Sequence, residues 1–206
     1  MLIKEENCIL VDTALSGDGP EILRAIEKTG LNLKYIIITH AHYDHAGSLS
    51  VVQKATGVPV ICSNFEMPHL KSGKTSIIQP QGVTMADLVK TIGLSDKDTR
   101  RFEATDAEYI TFDDVFYLEP LGFDGYVKIL PGHTPGSACV FTPEDIICGD
   151  TVFNISPRHF PPIYSDKAAL IETFGFLRDS GCRYIYPAHG RRIEVPDLKM
   201  DWPDSE

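Results

Sequence analysis

The chain has 206 residues, 43% of them hydrophobic and 23% charged, and no linker-like composition divides it, so we predict one domain over residues 1–206. Its formal net charge of −10 argues against a nucleic-acid partner, because proteins that hold phosphate backbones usually present a basic surface. No apolar run reaches the roughly 18 residues of a membrane span, and the acidic start does not fit a secretory signal, so we expect a cytoplasmic protein without a membrane partner.

The first part of the chain alternates short apolar runs with helical segments. The run at residues 35–38 is apolar throughout, which is typical of an interior strand covered on both faces. A proline in the first turn and a glycine after the last predict the bounds of the first helix. We predict strands over residues 8–11, 35–38 and 58–62, and helices from Pro20 to Gly30 and over residues 47–55.

The later part continues the same alternation. Helices are predicted over residues 85–92 and 95–102, a strand over 126–130, and a hairpin of residues 140–141 and 146–148. Ser165 is expected to cap a helix that ends before Gly181 and precedes a strand over residues 183–186. The apolar face of that helix is predicted to consist of Leu170, Ile171, Phe174 and Leu177. Interleaved strands and helices favour an α/β layered fold with buried sheets.

A histidine-rich segment follows the apolar run at residues 35–38. Alternate residues of an extended segment point the same way, so His40 and His42 can share one metal ion. Asp44 and His45 begin the turn into a helix and can therefore serve a second ion or orient its water. Imidazole and carboxylate groups in this density are ligands that zinc, iron and manganese accept.

The His-x-His-x-Asp-His pattern of residues 40–45 resembles the metallo-β-lactamase superfamily, and further segments resemble the other motifs of that family. Val11-Asp12-Thr13 resembles the first motif and implies that Asp12 supports the metal ligands from behind. Residues 131–137 imply His133 as the third ligand of the first metal. Residues 149–151 imply that Asp150 bridges both metals, and residues 187–190 imply that His189 joins Asp44 and His45 at the second metal.

The resemblance spans nearly the whole chain and implies an αββα sandwich with the metals at one edge of two facing sheets. Four motifs follow predicted strands, which is the context that such a site needs. The implied function is a hydrolase with a dinuclear site, zinc by preference and iron or manganese as alternatives. A metal-bound hydroxide, oriented by Asp44, would attack an ester, thioester, lactone or amide.

The carboxylate at Asp150 resembles glyoxalase II-like and lactonase-like members, whereas one large group of β-lactamases has cysteine there. An iron-dependent persulfide dioxygenase-like oxidoreductase is the alternative. A nuclease is disfavoured by the acidic charge of the chain.

We expect a small-molecule substrate to contact the loop over residues 152–164, because this loop leaves the strand that delivers Asp150. The candidate residues of this loop are Phe153, His159, Phe160 and Tyr164. His69 receives no metal role. Only eleven residues precede Asp12, fewer than the resemblance leads us to expect, and a sheet edge left open there could be covered by a second copy of the chain in a homodimer.

Overall fold

The computed structural model describes residues 1–76, 101–155 and 159–200. The chain forms two facing β-sheets with helices on their outer sides. The first sheet has five strands in chain order, β1 to β5: Leu2–Lys4, Asn7–Val11, Asn32–Ile37, Val60–Ser63 and Tyr109–Phe112. β1 and β2 form an antiparallel hairpin, and the pairs from β2 to β5 are parallel.

The second sheet has six strands in the order β11-β10-β9-β8-β7-β6. From β6 to β11 these strands are Val115–Tyr117, Tyr126–Ile129, Ala138–Phe141, Asp145–Asn154, Tyr184–Gly190 and Ile193–Glu194. All neighbours are antiparallel except β9 and β10, which run parallel with two register shifts near the site. The hairpin predicted around residues 142–145 is confirmed as the β8–β9 connection.

The described helices connect the strands and cover the sheets. From α1 to α5 they are Gly19–Thr29, Tyr43–Ala46, Leu49–Thr56, Met67–Ser72 and Lys167–Arg178. Short 3-10 helices span Glu119–Leu121 and Val195–Asp197. Gly30 ends α1 with φ 69°, a left-handed conformation that glycine adopts without a Cβ clash, as its sequence position predicts. Within the described ranges, no helix combines the length and the apolar character that crossing a bilayer demands.

Three hydrophobic clusters define the layers. One lies between the sheets and joins Ile9, Ile37 and Ile61 of the first sheet to Val127 and Val140 of the second. A second cluster packs α1 and α3 on the outer face of the first sheet, and a third packs α5 on the outer face of the second. The carboxyl end of β3 is therefore covered on both sides, which explains the apolar run over residues 35–38 and confirms the αββα sandwich.

Helix α5 differs in detail from its prediction. Asp166, and not Ser165, caps it, because the Asp166 carboxylate accepts a hydrogen bond of 3.0 Å from the Ala169 amide. The Ser165 hydroxyl instead donates to the Gly132 carbonyl at 3.0 Å. Ile171, predicted on the apolar face, is 39% exposed. The other three predicted residues of that face are fully buried.

Several elements were absent from the sequence-based prediction. Strands β1, β5, β6 and β11 and helix α4 are short, between two and six residues, and give little periodic signal. The helix predicted over residues 85–92 lies outside the described residues, as does most of the one predicted over residues 95–102. Arg101, which belongs to the second of these predicted helices, forms a β-bridge with Lys74.

Strand β1 lies within the eleven residues that precede Asp12 and forms one edge of the first sheet. Its Ile3 is 59% exposed, so this edge offers an apolar surface to solvent. A cavity of about 880 Å³ opens beside it, lined by β1, by Asp44 and His45, and by Tyr186 and Ala188 of β10. A second copy of the chain on this edge stays a prediction.

Candidate metal centre

Seven histidine and aspartate side chains from separate segments meet at one edge of the sandwich. The segment after β3 carries the first four of them around α2, the segment after β7 carries His133, and β9 and β10 carry Asp150 and His189. The end of β3 and the start of β8 are tied by a bond of 3.0 Å from the Ala138 amide to the Thr39 carbonyl. Both sheets therefore contribute to the same cluster.

His40, His42 and His133, called here the three-histidine group, turn their ring nitrogens towards one point. His42 Nδ1 lies 2.9 Å from His40 Nε2 and 3.1 Å from His133 Nε2. Asp150 Oδ2 closes the group at 3.9 Å from His40 Nε2 and 3.6 Å from His133 Nε2. The rings are between 1% and 6% exposed. This geometry brings four donor atoms around a small buried space.

Asp44, His45, His189 and Asp150 form a second group beside the first. Asp150 Oδ1 lies 3.0 Å from His45 Nε2 and 3.3 Å from His189 Nε2. Asp44 Oδ2 lies 3.2 Å from His189 Nε2. Asp150 thus turns one carboxylate oxygen to each group. In each group the donor atoms lie within 4.8 Å of one another.

Hydrogen bonds behind the rings determine which nitrogen faces the centre. His133 Nδ1 lies 2.8 Å from the Ile163 carbonyl, and His45 Nδ1 lies 2.7 Å from Asp12 Oδ2. Carbonyl and carboxylate oxygens accept and do not donate, so both Nδ1 atoms carry hydrogen. In the neutral rings, the Nε2 lone pairs then point into the cluster, as a metal ligand requires.

Thr39 provides the same support for His40. The Thr39 hydroxyl donates to Asp12 Oδ2 at 2.8 Å, so it accepts from His40 Nδ1 at 3.1 Å. Asp12 also accepts from the Thr39 amide at 2.8 Å. This placement requires the uncommon φ of 57° at Asp12, which the three hydrogen bonds to its carboxylate help to maintain. Asp12 therefore holds two rings, one directly and one through Thr39.

The nitrogen and oxygen atoms that meet in the two groups have too few hydrogens between them to form a complete set of hydrogen bonds. His42 Nδ1 can share at most one hydrogen between the Nε2 atoms of His40 and His133. Among the described residues, His45 Nε2 and Asp150 Oδ1 are buried without a hydrogen-bond partner, although they lie 3.0 Å apart. Buried acceptors left unsatisfied cost about 1–3 kcal/mol each. Divalent cations in the two groups would satisfy these lone pairs, so the residues present fit such ions.

The direction of the histidine pKa shifts differs between the two groups. Burial, reinforced by neighbouring imidazoles, holds the pKa of His40 well below its ordinary value and lowers that of His42 to about 3. Burial alone would lower the pKa of His45, but the carboxylates of Asp150 and Asp12 raise it well above its ordinary value. Burial would raise the pKa of Asp150, yet His45 lowers it. The three-histidine group is therefore held neutral, as metal binding requires.

His189 marks the open side of the cluster. Its side chain is 38% exposed and that of Asp44 is 19% exposed, whereas the other ligand candidates are almost fully buried. Phe153 stacks on the His189 ring with centroids 4.8 Å apart and an interplanar angle of 28°. The cluster is therefore accessible to solvent on the side of His189 and Asp44.

The other candidate substrate residues are buried or partly buried. His159 is 6% exposed, and its Nδ1 accepts a hydrogen bond of 3.0 Å from the Lys199 amide. Phe160 and Tyr164 pack against the core cluster beneath α5. Their contact with substrate, like that of Phe153, stays a prediction. His69 is a partly exposed residue of α4, away from both groups.

Sequence reasoning missed the residues that support the ligands from outside the motifs. Thr39 could have been found because it immediately precedes His40. Glu66, which bonds to both ligand-bearing loops, has no motif, and its only signal is an acid between the apolar residues Phe65 and Met67.

Comparisons with known proteins agree with this fold and cluster. A family model described as the metallo-beta-lactamase superfamily matches residues 1–189. A hydroxyacylglutathione hydrolase of Enterobacter sp. (strain 638) is 29% identical over 73% of this chain, which spans only 44% of that relative. A probable metallo-hydrolase of Methanocaldococcus jannaschii is 24% identical, with 92% of this chain and 85% of the relative covered.

Among solved structures, a protein crystallised in a di-iron-bound form superposes with a TM-score of 0.69 at 22% identity, covering 95% of this chain and 89% of that one. At this identity the similarity supports the fold alone.

Proposed function

Because the chain belongs to the metallo-β-lactamase superfamily, we propose that it is a hydrolase whose two ligand groups each hold a divalent metal ion, zinc by preference. Its substrate in this proposal is a small molecule with an ester, thioester, lactone or amide bond. The observation that carries the proposal is the convergence of seven donor side chains on two adjacent points that share Asp150. Four nitrogen and oxygen donors at each point match the coordination that zinc takes in proteins.

Each proposed ion has its own set of ligand residues. His40, His42 and His133 would hold the first ion, and Asp44, His45 and His189 the second, with Asp150 between them. Divalent ions held there would lower the pKa of bound water towards about 7 and would polarise a carbonyl oxygen.

Asp44 is placed to orient the attacking water and accept its proton. Its Oδ2 atom lies beside His189 on the exposed side of the cluster, and its side chain keeps 19% exposure. Hydrogen bonding from His189 lowers the pKa of Asp44 despite burial, which would raise it, so this carboxylate is available as an acceptor at neutral pH.

Phe153 is placed to exclude water on one side of the substrate. Its ring is 9% exposed and covers the His189 imidazole. An apolar wall beside a polar centre is the usual composition of a small-molecule site.

Two measurements on protein purified without chelator test this function. Elemental analysis should find about two ions per chain, zinc in our proposal. A panel of esters, thioesters, lactones and β-lactams should contain at least one substrate whose hydrolysis stops on chelation and returns with zinc. One iron per chain, together with oxygen consumption on a persulfide and no hydrolysis, would favour the oxidoreductase alternative.

A further inference from the structure

Glu66 is a buried acid outside the two ligand groups. It is 1% exposed and immediately precedes α4, where its backbone carbonyl accepts hydrogen bonds from the amides of His69 and Leu70. The side chain makes no capping bond to that helix and turns towards the ligand-bearing loops instead. An acid so deeply buried needs partners, because desolvating a charge is costly.

Both partners of the Glu66 carboxylate belong to those loops. Its Oε2 atom accepts a bond of 2.8 Å from the Ala41 amide, and its Oε1 atom accepts a bond of 2.7 Å from the Thr134 hydroxyl. Ala41 stands between the first two histidines of the three-histidine group, and Thr134 follows the third. One carboxylate therefore joins the two chain segments that supply all three imidazoles.

The hydroxyl bonds around Thr134 have a defined direction. Thr134 gives its hydroxyl hydrogen to Glu66, since a carboxylate accepts. The Ser137 hydroxyl lies 2.8 Å from that of Thr134 and accepts from the Thr134 amide at 3.0 Å, so its own hydrogen goes to the Thr134 oxygen. The chain of donors thus ends on Glu66, and removing this acceptor would leave the final hydrogen without a partner.

The Glu66 carboxylate is also tightly packed. A Cβ at Gly136 would lie 2.7 Å from Glu66 Oε1 and 2.6 Å from Ser63 Oγ. Ser63 in turn donates to the Gly136 carbonyl at 2.9 Å. The loop after His133 therefore rests directly on the segment that carries Glu66, which leaves it little freedom to shift.

From these contacts we infer that Glu66 is a positioning residue for the three-histidine group, holding its two loops at the separation that a metal ion requires. This inference rests on the proposed metal centre. Glu66 acts through Ala41 and Thr134 and does not itself touch the ion. Supporting hydrogen bonds around metal ligands typically contribute about 10–100-fold to metal affinity.

The substitution Glu66→Gln tests it with little change of volume. A glutamine amide has one accepting oxygen, so it can accept only one of the two bonds. Its NH2 group can bond to Thr134 only if the Thr134 hydroxyl reverses, which takes away the acceptor of the Ser137 hydrogen. Chelator-treated protein is titrated with Co²⁺ against a competing chelator, and the visible absorption of the bound Co²⁺ is recorded. We expect one of the two Co²⁺ ions to bind about 10–100-fold more weakly, with an altered absorption band, while the circular dichroism of the metal-free protein is retained.

Glu172→Gln on the exposed surface of α5 makes the same chemical change and should match the wild type. Thr134→Val, which removes the hydroxyl bonds to Glu66 and from Ser137 but no charge, should weaken the binding of the same Co²⁺ ion, and the double variant should bind it no more weakly than Glu66→Gln alone. If Glu66→Gln fails to fold, Thr134→Val carries the test.

Wild-type affinity and absorption in a folded Glu66→Gln protein would overturn the inference, even if its melting temperature fell. If the wild type itself bound no Co²⁺, the proposed metal centre would fail, and the positioning role with it.

Discussion

At the scale of single residues, Asp150 occupies the position that the two ligand groups share. Its replacement by alanine should remove a donor from both groups at once, so metal content should fall by about one ion per chain or more and hydrolysis should be lost. Elemental analysis and the substrate panel measure this. His69→Ala, a matched loss outside both groups, should leave both quantities unchanged. A fully active Asp150→Ala protein would remove the bridging role.

The buried imidazole of His42 makes stability depend on pH in metal-free protein. Burial lowers the pKa of His42 to about 3. Between pH 6.5 and 3 this imidazole is therefore protonated in the unfolded chain and neutral in the folded chain. This contribution to stability is present above the unfolded value and is lost as pH falls.

The substitution His42→Gln should therefore flatten the acid side of the profile by about one proton, or 1.4 kcal/mol per pH unit over that window. Urea denaturation of chelated protein at pH 4 to 7 measures the slope. Equal slopes for both proteins would show that His42 titrates normally in the fold.

Ala14 carries a backbone strain that a smaller residue would relieve. Its φ of 52° lies in the left-handed region, where a Cβ costs roughly 1–2 kcal/mol. Ala14→Gly should raise the free energy of unfolding by about 0.5–1 kcal/mol after the extra flexibility of the unfolded chain is counted. Ala55→Gly, at an exposed position of α3, should lower it by about 1 kcal/mol. Denaturant titration should therefore give opposite signs.

At the scale of elements, the apolar pattern of α5 predicts three of its buried residues correctly and one exposed residue wrongly. Leu170 is fully buried and its backbone lies against Gly132, next to the candidate ligand His133, whereas Ile171 is 39% exposed. Leu170→Ala should cost about 2–5 kcal/mol of stability, and Ile171→Ala no more than about 0.5 kcal/mol. Thermal or denaturant unfolding distinguishes them, and equal losses would place Ile171 in the core after all.

The burial of each strand explains whether it could be predicted from the sequence. Strand β4 and the last two residues of β3 are buried, so their apolar runs are visible in the sequence. Strands β5 and β6 have three or four residues of mixed burial, and β1 has one buried residue in three. Such segments are defined by their neighbours in the sheet, and no local periodicity reveals them.

At the scale of the whole molecule, the convergence of the motifs was predicted from strand ends, whereas the supporting bonds were not. Each ligand candidate follows or lies in a strand, and strands in layered sheets bring such positions to a common edge. Glu66 bonds to Ala41 and Thr134, which are sequence neighbours of the histidines, and the Ile163 carbonyl bonds to His133, in each case from a distant part of the chain. Contacts of this kind depend on tertiary packing, which no single segment encodes.

Removal of metal should destabilise the whole fold, because ions that bind only the folded state add to its stability. At a free concentration 100 times the dissociation constant, one site adds about 2.7 kcal/mol. Chelation should lower the melting temperature, and added zinc should restore it. An unchanged melting temperature in protein shown by elemental analysis to have lost its metal would contradict this.

The joining of both sheets at one cluster has a consequence for folding kinetics. His40 and His42 follow a strand of the first sheet, whereas Asp150 and His189 lie in the second, so the donor atoms meet only after the two sheets have docked. Contacts formed after the transition state slow unfolding and leave the folding rate nearly unchanged. Zinc should therefore lengthen the lifetime of the native state by orders of magnitude more than it accelerates its formation, which stopped-flow refolding and unfolding with and without the ion would measure.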